Sequence, residues 1–357
     1  MRATSTGRRR ALAALACLPL SACGTADPAV AQDPPPLSPP REVAGGMLLL
    51  LVPGLGLDDV LLGAGQGYLP NLDRALESGA LVESITPADD TLYTPAEMAR
   101  ALTEGLDIRV LHAGCVHEGA GIDIEAVAAC PTAGTAADAL KAWLDGLSQV
   151  FEQAETRLAA PGPACEVLLL DGLLPLETGF LLVHPEQEGY GAEAALDYAD
   201  RWQTALRAFD AALGRLLRQI DLAAWTVVVG STCDAWAVHA RLDAAEVLGP
   251  TTILAGGAVL QSDGGVVLPE GEAWQQVRVG QDPDGAGRVR LQAPPGYAFA
   301  DEGNLPRAVP QPAAFLLGLG RGLARGARVA SMAPAWAAEL LRGLQTGDTE
   351  LSGESGS

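Results

Sequence analysis

MLLLLVPGLGLDDVLL, Met47 to Leu62, runs through an unbroken aliphatic stretch, stops at Pro53-Gly54 and sets two acids, Asp58 and Asp59, shortly after. An apolar run of this length, closed by proline and glycine, predicts a buried strand that ends in a turn. Strands of this kind belong to parallel sheets covered on both sides, and ligands bind at their carboxyl ends. Pro53 therefore stands where such a sheet keeps its chemistry, yet proline offers neither a side-chain donor nor an N–H.

Outward from this strand the chain alternates helix and strand. YLPNLDRALESGALVES (Tyr68–Ser84) predicts a helix with Pro70 near its start and Gly79 as its stop. TPAEMARALTEG (Thr94–Gly105) predicts a second, in which Thr94 and Glu97 have capping-box spacing. Thr135–Ala159 is amphipathic, and CEVLLLDGLL (Cys165–Leu174) and GFLLVHPE (Gly179–Glu186) are apolar runs of strand length. The clearest helix is Ala192–Ile220, whose Trp202, Leu206, Phe209, Leu213 and Leu217 recur at steps of three or four. It leads into the buried strand TVVVGS (Thr226–Ser231). Beyond Gly249 the sequence is Gly-rich and strand-like, and helices are expected near Ala313–Leu323 and Pro334–Leu344. This order predicts an α/β three-layer sandwich with a mostly parallel central sheet.

The first residues carry Arg8-Arg9-Arg10, a short apolar stretch and the tetrad Leu20-Ser21-Ala22-Cys23. Together they read as a secretion signal over 1–23 that ends in a bacterial lipobox, with Cys23 as the lipidated residue. Residues 24–45 are then a Pro-rich tether, 46–345 the folded domain and 346–357 a polar, disordered tail. The implied location is the cell envelope, lipid-anchored and facing the periplasm or exterior. Gly24 after the cysteine is similar to lipoproteins sent to an outer membrane. The formal charge of −21, from 44 acids against 23 bases, repels phosphate backbones and excludes nucleic acid as a partner. In an oxidising compartment Cys115 and Cys130, which flank a short loop, are expected to be bonded to each other; Cys165 and Cys233 can pair only if their Cα atoms lie within about 7 Å.

Read in order, these segments resemble the alkaline phosphatase superfamily, and within it the sulfatases and type I phosphodiesterases. LLLLVPGLGLDDVL stands where family members begin with a strand like LLLVDGLGxDxL, and LPNLDRALESG (Leu69–Gly79) is similar to TPNLDRLAxEG. YTPAEMARALTEG, FLLVHPEQEGY, YADRWQTALRAFDAALGRLLRQI and TVVVGSTCDAW follow in the family's order. The resemblance covers roughly Met47 to His239 and implies an ester hydrolase that uses a divalent metal: zinc, calcium or magnesium.

It also implies what has been lost. The position of Pro53 is an aspartate that holds metal in the enzymes, and the Asp and His of the later strand fall at Thr232 and Cys233. Asp234 comes one or two places late. The family nucleophile falls at Tyr93 or Thr94, according to whether one counts from Pro95 or from Gly105. Thr94 is thus a candidate nucleophile by resemblance and a helix cap by its own spacing. Asp58, His184, Asp234 and His239 are the remaining candidate metal ligands, Asp58 and Asp59 being expected to face solvent or cap the next segment. His112 and His117 are placed in a loop near Cys115. The expected protein is an envelope lipoprotein with a catalytically inactive domain, no bound cofactor, and a role in binding or assembly with an envelope protein or glycan. Its alternatives are a metal-dependent phosphoric- or sulfuric-ester hydrolase with a rearranged site and a purely structural envelope protein.

Overall fold

The computed structural model describes residues 46–87, 93, 95–113, 124–128, 135–158, 165–180, 191–237, 240–243, 251–254, 257–260, 278–281, 289–292, 297–300, 308–311 and 314–347. The opening stretch forms strand β1 (Met47–Leu51), with every residue buried. It is hydrogen-bonded in parallel to β5 (Cys165–Leu170) on one side and β6 (Thr226–Ser231) on the other. Outside β5 lie β3 (Ile108–Ala113) and β4 (Ile124–Ala128), also parallel. Beyond β6 come β15 (Ala314–Gly320), antiparallel to both its neighbours, then β2 (Ala80–Ile85) and β16 (Arg328–Val329). The eight-stranded order is β16-β2-β15-β6-β1-β5-β3-β4.

Both faces of β1 are apolar because both are covered. Leu48, Leu50 and Val52 join a cluster with helices α1 (Leu57–Gly65), α2 (Pro70–Ser78), α4 (Ala136–Leu158), α5 (Leu173–Phe180) and α6 (Ala192–Leu217). Met47, Leu49 and Leu51 join the opposite cluster with α3 (Pro95–Thr103) and α7 (Pro334–Thr346). This is the expected three-layer α/β sandwich.

Three local expectations change. Ala314–Gly320 is a central strand, not part of a helix, because a short apolar run buried on both faces carries no period that separates the two states. The apolar run after Cys165 ends as a strand at Leu170 and turns at Asp171-Gly172 into α5, which takes in Gly179 and Phe180; 181–186 lie outside the described residues. His112 lies in β3 and is wholly buried, not in a loop.

Between β6 and β15 the chain makes β7 (Asp234–Ala237), β8 (Ala240–Asp243), β9 (Thr251–Leu254), β10 (Gly257–Leu260), β11 (Arg278–Gln281), β12 (Val289–Gln292), β13 (Tyr297–Ala300) and β14 (Ala308–Gln311). β9 to β12 form an antiparallel sheet of order β11-β12-β10-β9, and β13 pairs with β8. β7 and β14 pair antiparallel, so the chain leaves and re-enters the main sheet through one two-stranded ribbon, against which α5 packs.

Candidate functional site

The parallel register sets three residues level just past the strand ends. Leu51 is opposite Leu169 in β5 and Gly230 in β6, so two residues on Pro53 lies between Asp171 and Thr232. Pro53 is buried. Gly54 turns the chain with φ 92°, and a Cβ there would lie 2.9 Å from the backbone nitrogen of Leu174. Only glycine accepts both that conformation and that approach.

The tips of β1 and β6 are tied directly. The Val52 N–H donates to the Gly230 carbonyl at 2.8 Å, and the Gly54 N–H to the Cys233 carbonyl at 3.0 Å. The buried Ser231 hydroxyl sits 3.0 Å from the Val52 carbonyl and 2.6 Å from the Cys233 carbonyl. Thr232 is also buried, and its hydroxyl oxygen has no hydrogen-bond partner. On the other side of β1, His112 Nε2 lies 3.3 Å from Asp171 Oδ2, with both side chains buried. The pair links the ends of β3 and β5, and the Asp171 N–H donates to the Ala113 carbonyl at 3.2 Å.

Of the candidate ligands Asp58, His184, Asp234 and His239, only Asp58 has a described side chain. Asp58 is half-buried and Asp59 buried; of the two places expected for them, solvent or the start of the next segment, they take the second, both lying in the first turn of α1, where carboxylates interact favourably with the helix dipole. Asp234 opens β7 opposite Gln311, its side chain lying outside the description. Thr94, His184, His239, Cys23, Cys115 and Cys130 lie outside the described residues. Tyr93, beside Thr94, packs against the cluster of α3 and α7. Cys165 and Cys233 are both buried thiols. Cys165 is level with Thr226, and Cys233 comes seven residues later past the far end of β6, roughly 20 Å along the strands, so the two cannot bridge.

A divalent cation does not fit the donors at this edge. Of the three level residues, proline has no donor, Thr232 offers one neutral hydroxyl and Asp171 one carboxylate, with the His112 ring 3.3 Å from it; a hard or borderline cation needs several carboxylate or imidazole ligands. Among the described residues, no group of three or more His, Cys, Asp or Glu is placed to hold a metal ion.

Buried charge that sequence reasoning missed lies elsewhere. Asp210 of α6 accepts the Leu72 N–H at 2.8 Å, the Asn71 N–H at 3.1 Å and the Asn71 side-chain amide at 2.8 Å, so it caps α2 from another helix. Glu166 of β5 is buried between Arg109 and Arg157. Asp210 had a visible signal in its polar place within the apolar face of the long helix, but its partner 139 residues away did not.

No family model and no curated protein sequence matches the chain significantly. Solved structures do. Murine ectonucleotide pyrophosphatase/phosphodiesterase 5, inactive and in complex with AMP, superposes with TM-score 0.50 at 11% identity over 88% of this chain and 97% of that one. The human protein of the same name gives TM-score 0.52 at 10% identity over 87% and 97%. At such identities the likeness is one of fold, and with the strand order it gives the conclusion that this chain has an alkaline phosphatase-like α/β fold, similar to that of these phosphodiesterases.

Proposed function

We propose that the protein is a lipid-anchored envelope protein whose alkaline phosphatase-like domain is catalytically inactive and acts in binding or assembly. The observation that carries this reading is the tip of β1. Pro53 is buried there, and the adjoining ends of β1 and β6 use their polar groups on each other. By resemblance, three metal ligands belong at Pro53, Thr232 and Cys233. A hydroxyl nucleophile depends on such a metal to lower its pKa and to neutralise charge on the transferred group, so the loss removes the largest source of rate. The sheet needs none of those ligands, because apolar burial on both faces holds it, and fold does not by itself carry function. The lipobox at Leu20–Cys23 supplies the anchor, and the strongly negative chain favours an envelope protein or glycan over nucleic acid as its partner.

The test is hydrolysis of p-nitrophenyl phosphate, bis-p-nitrophenyl phosphate and p-nitrophenyl sulfate by the purified protein with added zinc, magnesium or calcium. The expected outcome is no turnover above background. Metal-dependent turnover abolished by a chelator would overturn the reading in favour of a hydrolase with a rearranged site. For the anchor, Cys23→Ser is expected to move the protein from the membrane to the soluble fraction.

A further inference from the structure

Four buried polar atoms at the carboxyl edge of the sheet are left over once the fold is complete. Among the described residues, His112 Nδ1 and Nε2, Asp171 Oδ1 and Thr232 Oγ1 have no hydrogen-bond partner, and all three residues are more than nine-tenths buried. The near approach among them is that of His112 Nε2 to Asp171 Oδ2, at 3.3 Å. Buried polar groups left without a partner are costly and rare, so several at one place point to something that satisfies them. They stand where a parallel sheet takes its ligands: His112 near the end of β3, Asp171 just past β5 and Thr232 just past β6. Asp171 and Thr232 lie on either side of Pro53, about 10 Å apart by two strand spacings.

These groups select the chemistry of what fits between them. A carboxylate only accepts hydrogen bonds, whereas the imidazole and the hydroxyl each donate or accept. A phosphate or sulfate ester brings further negative charge against Asp171, in a chain whose formal charge is already −21, and a cation gives a donor nothing to meet. A hydroxyl group donates and accepts at one atom. A sugar ring carries several of them around its rim, with C–H surface between that suits the apolar Pro53. We infer that this edge is a binding site for an uncharged sugar, with His112 and Asp171 meeting hydroxyls at one end of the ring and Thr232 at the other. The inference rests on the non-catalytic binding reading above and narrows its partner to a neutral glycan.

Saturation-transfer NMR titrations on the purified full chain test it, with glucose, galactose, mannose and N-acetylglucosamine as probes and glucose 6-phosphate as the charged comparison. At least one neutral sugar is expected to bind the wild type, and glucose 6-phosphate to bind more weakly than glucose. Asp171→Asn is expected to weaken binding of the neutral sugar about tenfold and Thr232→Val about fivefold, each the loss of one buried hydrogen bond. Binding of none of the four sugars, tighter binding of glucose 6-phosphate than of glucose, or unchanged affinity in both variants would overturn the site. The comparison of charged and neutral probes needs no variant and so stands even if Asp171→Asn fails to fold. Ester turnover by the same wild-type sample reports separately on the inactive-enzyme reading.

Discussion

Asp210 joins two helices across 139 residues of sequence. It is buried on the apolar face of α6 and receives two backbone N–H groups and a side-chain amide from Asn71 and Leu72. A buried carboxylate is tolerated only when its lone pairs are taken up in this way. Asp210→Ala strands three donors and is expected to cost about 3 kcal/mol, whereas Asp210→Asn, which keeps one acceptor oxygen, is expected to cost about half as much; urea denaturation of the two variants measures both. The thiols give a second residue-level test. Burial, with a smaller contribution from the Asp107 charge, pushes the Cys165 thiol up to about 12. The folded state therefore favours the neutral thiol: the stabilisation is complete below the unfolded thiol's pKa and is lost as pH rises toward 12. Iodoacetamide at pH 8 is expected to leave the Cys165 peptide unmodified in the native protein and to modify it fully in guanidinium, as read by peptide mass mapping. The place of Pro53 at a strand end was legible from sequence, since the apolar run before it and the glycine after it mark the strand and its turn. The approach of His112 to Asp171 was not, because a buried contact between two strands leaves no period or spacing in either one.

At the level of elements, what the sequence made plain were those with strong patterns. β1, β6 and α6 are long runs in which burial is uniform or strictly periodic. β15 was misread because five buried residues followed by two half-buried ones fit a helix as well as a strand until their neighbours are known. Its place between β6 and β2, antiparallel to both, is a tertiary fact that no local pattern encodes. The turn from β5 into α5 was likewise hidden, since Leu173, Leu174 and Leu176 are buried in the same cluster as the strand before them and continue its apolar run.

On the scale of the whole molecule, the segment inserted between β6 and β15 begins and ends in strands that face each other in register: Ala237 pairs with Ala308 at the far end of the β7–β14 ribbon. Replacing 238–307 by a two-residue Asn-Gly turn would convert that ribbon into a hairpin of favoured geometry. The shortened protein is expected to keep a cooperative unfolding transition and native-like circular dichroism; loss of cooperativity would show that the core depends on the inserted segment. The cap on α2 bears on the order in which the molecule assembles. Leu69, at the start of that helix, provides no side-chain cap of its own, so the first-turn amides are satisfied by a residue 139 positions away. A growing chain that ends before α6 holds β1, α2 and β2 with their hydrophobic pattern intact but with the helix start open to water, and the closure that secures them spans a long loop. The amino-terminal third is thus written early and finished late: the first turn of α2 receives its cap only when residue 210 arrives.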